Sequence, residues 1–310
     1  MRRIELDVHA HLAPVWPEGL ATVPGVQWLS DPPRLVVDGH VLGIADLYRP
    51  ERLLQWMDAN DVERALVSVP PPLYRQHLVA DESEAWSEYL NRGLLEVSAR
   101  HEDRLQALLH LPIEHPAVAL SQQRRHGGRG AAGVALAAGG NPRIVLSDPA
   151  LEPLWQVLDD AGAFVFLHPG SCGDGRLAVF YLENLLGNPI ETGVAAAHLV
   201  MAGVPQRHAR VRFCLAHAGG AFTSLVGRLE RGFDTSRPGI DLAVERPLRA
   251  ARRFYADCIA HHPGALQLAQ DVFGHDHVLF GSDWPFPMGL SDSAPAGWKG
   301  SSSHSKKESI

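Results

Sequence analysis

Four apolar runs in this chain end in a histidine or an aspartate, and that repetition limits the folds open to it. The first, Ile4-Glu5-Leu6-Asp7-Val8-His9-Ala10-His11, carries two histidines one residue apart. Residues i and i+2 of a strand point to the same side, so His9 and His11 present their imidazoles in parallel. Phe164-Val165-Phe166-Leu167-His168 runs into Pro169, and Val211-Arg212-Phe213-Cys214-Leu215-Ala216-His217 runs into Ala218-Gly219-Gly220. Val278-Leu279-Phe280-Gly281-Ser282-Asp283 is followed by Trp284-Pro285. A fold that gathers these strand ends around one point makes a site of them.

Strand-like runs near 4–8, 64–69, 104–110, 132–137, 163–167, 210–216, 253–257 and 277–282 alternate with helical patterns. The helical patterns open at Arg52 and run over Glu82–Arg100, Pro149–Asp160, Glu191–Met201, Gly220–Arg231 and Pro263–Val272. Eight such units predict an α/β fold, a (β/α)8 TIM barrel over residues 1–290. A doubly wound open sheet is the rival, and it does not readily bring the first, fifth, sixth and eighth strands to one point. Residues 14–47, rich in Pro, Gly and Trp, are too long for an ordinary βα loop and predict an insertion after strand one, folded over the barrel mouth as a lid. Residues 291–310, Ser- and Lys-rich, read as a disordered tail that is not native to the fold.

Composition excludes several classes. With a formal net charge of -7 and no basic stripe interleaved with aromatics, nucleic acid is not an expected partner. No window approaches 18 uninterrupted apolar residues and no apolar signal core precedes the first strand, so neither a membrane span nor export is expected. Cys172, Cys214 and Cys258 are an odd number at unrelated spacings, which points to reduced thiols and a cytoplasmic location.

At the C-terminal ends of barrel strands, His9, His11, His168 and Asp283 would converge on a divalent first-row ion with one position open. With these residues the chain resembles the amidohydrolase superfamily, and within it the metal-dependent decarboxylases. The resemblance rests on Asp7-Val8-His9-Ala10-His11, Leu167-His168-Pro169, His217-Ala218-Gly219-Gly220-Ala221-Phe222 through Gly227-Arg228, His262-Pro263-Gly264-Ala265-Leu266 and Gly281-Ser282-Asp283-Trp284-Pro285-Phe286-Pro287. It implies that His9, His11, His168 and Asp283 hold the metal and that His217 stands beside it as the acid/base, with Asp283 also catalytic. It further implies that Arg228 and Phe286 meet the substrate, a small carboxylic acid, and that the protein is a homodimer.

Lysine usage bears on the number of ions. The only lysines are Lys299, Lys306 and Lys307, so a carboxylated lysine cannot bridge two ions at strand four, and the run Gly133-Val134-Ala135-Leu136-Ala137 offers no carboxylate instead. One ion is expected, most simply zinc, with manganese, iron and cobalt compatible with the same donors. Such an ion lowers the pKa of its water to roughly 7, and His217 is placed to take and return a proton. The same parts would serve hydrolysis of a lactone or amide; the resemblance, not the bare chemistry, selects decarboxylation of an unsaturated or aromatic acid. A closed structural metal site would have no use for a free histidine beside it.

Weaker signals have plainer readings. His275-Asp276-His277 precedes strand eight and belongs to the opposite end of a barrel, as a solvated turn. His261 and His262 follow strand seven on the active side. Arg124-Arg125-His126-Gly127-Gly128-Arg129-Gly130 lacks the strand-turn-helix order of a phosphate loop. Cys214 lies in an apolar strand as a small core residue.

Overall fold

The computed structural model describes residues 3–21, 23–140, 144–290 and 295–298. In chain order it contains β1 (Ile4–His11), α1 (Pro17–Leu20), β2 (Val26–Ser30), β3 (Pro33–Val37), β4 (His40–Leu42), α2 (Pro50–Ala59), β5 (Val62–Ser68) and α3 (Ala80–Arg100). It continues with β6 (Leu105–His110), α4 (Pro116–His126), β7 (Ala131–Ala138), α5 (Glu152–Ala161), β8 (Phe164–Pro169), α6 (Asn188–Met201) and α7 (Val204–Arg207). The last are β9 (Arg212–Leu215), α8 (Phe222–Asp234), α9 (Pro247–Ala250), β10 (Tyr255–Ala256) and α10 (Pro263–Phe273).

Local chemistry sets these boundaries. Prolines sit in the first turn of α2, α4 and α10, where a missing N–H costs nothing. Gly162 ends α5 in the left-handed conformation at φ 59. Asp81 and Glu82 in the first turn of α3 and Arg100 in its last complement the helix dipole.

The protein is α/β. Seven strands form one sheet in the order β1-β5-β6-β7-β8-β9-β10, with parallel pairing at β1/β5, β5/β6, β8/β9 and β9/β10. The described chain divides into two compact units, 3–134 with 280–290 and 135–279 with 295–298, the division falling inside β7. In the first unit Ala10 pairs with Val67 and His11 with Ser68, which fixes the ends of β1 and β5 side by side. The second unit is built on an aromatic core. Trp155 meets the Phe213 ring at 5.7 Å, Phe213 meets Phe254 at 5.9 Å, and Phe222 stacks on Phe273 at 6.3 Å. Each fully buried ring of this kind contributes roughly 1.5–3 kcal/mol.

Two expectations meet a different local structure. The segment 277–282 is not a continuous strand: Val278 bridges to Ala256, and Trp284 bridges to Ala10. The ladder breaks because the Ser282 hydroxyl turns to the Asp7 carboxylate and Asp283 adopts φ 58. Within the span expected as an insertion, α1 is followed by a three-stranded antiparallel sheet in the order β2-β3-β4. Of the expected tail, 291–294 and 299–310 lie outside the described residues. Trp298 is buried, and its indole N–H donates to the Val278 carbonyl at 2.8 Å. Among the described residues no helix is long and apolar enough to cross a membrane.

Candidate metal centre and active site

In the first unit, β1 delivers His9 and His11 at its C-terminal end, both fully buried. Asp283 reaches them because the chain at 280–284 is hydrogen-bonded along β1. Val8 N–H donates to Phe280 O at 2.9 Å, Asp283 N–H to His9 O at 2.7 Å, and His11 N–H to Trp284 O at 2.8 Å. Asp7 ties the two segments from beneath. Its Oδ1 accepts the N–H of His9 and of Ser282, each at 3.0 Å, and its Oδ2 accepts the Ser282 hydroxyl at 2.5 Å. Burial pushes the Asp7 carboxyl up to about 6, against these hydrogen bonds, which favour the ionised form.

The geometry at the ligand atoms fits a small cation. His9 Nε2 and His11 Nε2 lie 3.1 Å apart, and Asp283 Oδ1 is 3.2 Å from each. Asp283 Oδ1 is buried yet out of hydrogen-bonding alignment with either ring. Three donor atoms so spaced fit around an ion at about 2.0–2.2 Å from each. Burial opposes ionisation of Asp283, but the adjacent His9 and His11 imidazoles outweigh it and hold the carboxyl well below its ordinary range. Burial lowers the His11 imidazole, so it is poised as a neutral donor. Ser68 Oγ stands 3.2 Å from His11 Nδ1 and orients that ring from β5. The Phe286 ring meets His11 edge-on at 5.3 Å.

In the second unit, His168 closes β8. Its Nδ1 lies 2.9 Å from the Pro169 carbonyl, which directs Nε2 outward from the strand end. Its ring meets His217 at 5.2 Å, T-shaped. His217 sits at φ 56, in the left-handed region that non-glycine residues enter at a cost. Asp257, fully buried just after β10, holds it there by accepting the N–H of His217 at 2.9 Å, of Ala218 at 2.8 Å and of Ile259 at 3.0 Å. Gly220 completes the turn: at φ 54, a Cβ would lie 2.4 Å from the Pro189 carbonyl oxygen.

Four ligand-type atoms, one each from His9, His11, His168 and Asp283, lie within 4.8 Å of one another. His217 is not among them, and β7 carries neither a lysine nor a carboxylate. The donor set is suited to a divalent metal. Arg228 is exposed on α8 and makes no hydrogen bond or ion pair among the described residues. Because α8 begins only at Phe222, Arg228 stands roughly 9 Å along the helix, closer to its start than a helix springing directly from His217 would place it.

The remaining signals resolve locally. His262 caps α10, its Nδ1 accepting the Gly264 N–H at 3.1 Å. His277 stacks on Tyr255 at 4.3 Å, and Arg125 and His126, at the end of α4, pair with Glu88. Cys214 is buried in β9. A cavity of about 980 Å³ along α3, lined in part by Trp16, Arg75, Tyr89 and Arg92, contains none of the candidate site residues. Asp7, Ser68, Ser282 and Asp257, which support the site, were not singled out by sequence reasoning.

The amidohydrolase family model matches residues 6–300. The chain belongs to the amidohydrolase family. It is 28% identical over 301 residues to 2-amino-3-carboxymuconate-6-semialdehyde decarboxylase of Dictyostelium discoideum, covering 93% of this chain and 83% of that one. It is 23% identical over 305 residues to gamma-resorcylate decarboxylase of Rhodococcus jostii, covering 92% and 88%. Its fold is similar to that of 5-carboxyvanillate decarboxylase from Novosphingobium aromaticivorans, solved with manganese and 4-hydroxy-3-methoxy-5-nitrobenzoic acid. That likeness has a TM-score of 0.76 at 16% identity and covers 93% of this chain and 88% of that one.

Proposed function

We infer that this metal-dependent decarboxylase releases CO2 from an aromatic or unsaturated carboxylic acid at one divalent ion held by His9, His11, His168 and Asp283. The observation that carries the reading is the 3.1–3.2 Å triangle of His9 Nε2, His11 Nε2 and Asp283 Oδ1, with His168 completing the set. Three imidazoles and a carboxylate suit zinc, and manganese, iron or cobalt are outcomes that metal analysis distinguishes. A bound ion supplies Lewis-acid chemistry, drawing off the negative charge that develops as the carboxylate leaves.

The chain's own groups do the rest. Asp283 stays ionised near neutrality and so offers the ion an anionic oxygen. When the bond between the carboxylate carbon and its neighbour breaks, the electron pair stays on the neighbour, and His217 delivers a proton to that carbon. The Asp257 bonds hold the His217 backbone, so its ring is aimed before substrate arrives. Phe286, edge-on to His11, offers an apolar wall to a flat substrate. Hydrolysis of a lactone or amide needs the same parts, but the two relatives named above are decarboxylases.

The segment 277–284 takes the place of an eighth barrel strand, and residues 14–47 form a lid over the site. The protein works as a homodimer in a reducing cytoplasm, which suits three free cysteines. Ile190 and Val194 on α6 and Leu225 on α8 are exposed apolar side chains on two helices that pack together, and the exposed Arg228 lies three residues beyond Leu225 on α8. This surface suits a second copy of the chain, with Arg228 reaching the partner's substrate carboxylate through its planar guanidinium.

The test is a screen of unsaturated and aromatic acids for CO2 release. At least one acid is expected to yield CO2, with loss on chelation and recovery on returning a divalent ion. Turnover of a lactone or amide with no CO2 from any acid would contradict the reading.

A further inference from the structure

Tyr74 and His110 are buried polar side chains with no part in the chemistry above. His110 closes β6 at 2% exposure. Register fixes which way it faces. His11 pairs with Ser68, and Val67 pairs with Ala107, so Leu108 falls beside Ser68 and His110 lies one pleat further along. That is the sheet face carrying His9, His11 and Ser68, as the 3.2 Å approach of Ser68 Oγ to His11 Nδ1 confirms. By strand spacing, His110 Cα stands roughly 12 Å from His11 Cα, a gap that one aromatic acid and one imidazole side chain can fill.

The ring is also held in place. The His110 N–H donates to Asn91 Oδ1 at 2.7 Å, and its carbonyl accepts from Asn91 Nδ2 at 3.0 Å. Its imidazole stacks on Tyr74, with centroids 5.1 Å apart and planes at 14°. Yet among the described residues neither ring nitrogen has a hydrogen-bond partner, and neither does the Tyr74 hydroxyl, itself 2% exposed. Buried polar atoms are rarely left unpaired, because their desolvation is then uncompensated. Three such atoms on one stacked pair call for a partner that binding brings.

The chemistry of that partner follows from charge. Burial alone lowers the imidazole to about 4, with no contribution from a charged neighbour, and burial alone raises the Tyr74 phenol. Both groups are neutral near pH 7. A neutral donor and acceptor pair welcomes a hydroxyl and gives a second carboxylate no counter-charge.

We propose that Tyr74 and His110 form a substrate-recognition subsite for a ring hydroxyl of the acid whose carboxylate the metal centre holds. This rests on the decarboxylase reading for aromatic acids. A site built to hydrogen-bond a hydroxyl discriminates strongly against the analogue that lacks it.

The test is equilibrium binding of benzoate and of 2-, 3- and 4-hydroxybenzoate to the manganese-loaded protein by titration calorimetry. At least one hydroxybenzoate should bind about 10-fold or more tighter than benzoate. Tyr74→Phe and His110→Leu should each collapse that preference while leaving the benzoate Kd and metal content unchanged, and His110→Gln should restore part of it. Tyr74→Phe removes only an unpartnered hydroxyl, so it remains informative if His110→Leu folds poorly. An undiminished hydroxyl preference in Tyr74→Phe and His110→Leu, or none in the wild type, overturns the subsite alone. Binding of neither benzoate nor any hydroxybenzoate by the wild type overturns both the subsite and the aromatic-acid reading.

Discussion

Asp257 Oδ2 accepts the backbone N–H of His217 at 2.9 Å, and through that bond one buried carboxylate sets the backbone from which the proposed acid/base histidine projects. The same carboxylate also accepts from Ala218, the second residue of that positive-φ turn, and from Ile259 on its own segment.

Asp257→Asn replaces one accepting oxygen with a donating amide and sets it against a backbone N–H. The expected result is a loss of about 1.5–3 kcal/mol of stability, seen in urea unfolding. A fall in kcat of about 10²-fold is expected as His217 loses its aim, with metal content unchanged. Full activity in a folded Asp257→Asn protein would show that His217 needs no such support.

His217→Ala is expected to keep the fold and the metal while kcat drops by about 10²–10⁴-fold. Metal analysis alongside kinetics checks this. Metal loss in proportion to activity would make His217 a ligand instead of an acid/base. Asp283→Ala should do the reverse and lose the metal first, because its Oδ1 is the corner shared by both β1 imidazoles.

Arg228 makes the dimer testable. Mixing Arg228→Ala chains with His217→Ala chains should restore activity if Arg228 serves the partner. Each mixed dimer would then hold one site lacking both residues and one site intact. Verified mixed dimers without recovery would leave Arg228 a surface residue.

The buried His110 predicts a pH dependence of stability. Its folded pKa of about 4 lies below the ordinary 6.5, so between those values the unfolded chain binds the extra proton. Its contribution is therefore present above about pH 6.5 and is lost as pH falls toward 4, worth at most about 3 kcal/mol. In chelator-treated protein, urea unfolding at pH 7 and pH 4.5 should show His110→Leu gaining on the wild type as pH falls. Parallel pH profiles would mean that His110 is already solvated.

Much of this site could be read from the chain because each proposed ligand closes an apolar run, and burial of such a run leaves its terminal polar residue at a strand end. His9, His11, His168 and Asp283 carry that signature, and they are the four brought together. His110 carries it too, with Pro112 two residues on, but lies outside the family-like segments. Asp257 escaped notice for a physical reason: its strand is only Tyr255–Ala256, and Cys258, not Gly or Pro, follows. Asp7 reads as an ordinary polar strand residue until Ser282, 275 positions away in sequence, is seen to donate to it. The run at 277–282 looked like a full strand because its apolar residues are continuous. Side-chain demands at Ser282 and Asp283 break its ladder, and no periodicity records those.

The most direct test of one ion at the His9, His11, His168 and Asp283 cluster is to titrate metal-stripped protein with a divalent ion while recording CO2 release from an acid it accepts. Activity should rise from zero and level off sharply at one equivalent per chain. A break at two equivalents, or CO2 release from the stripped protein, would contradict the account.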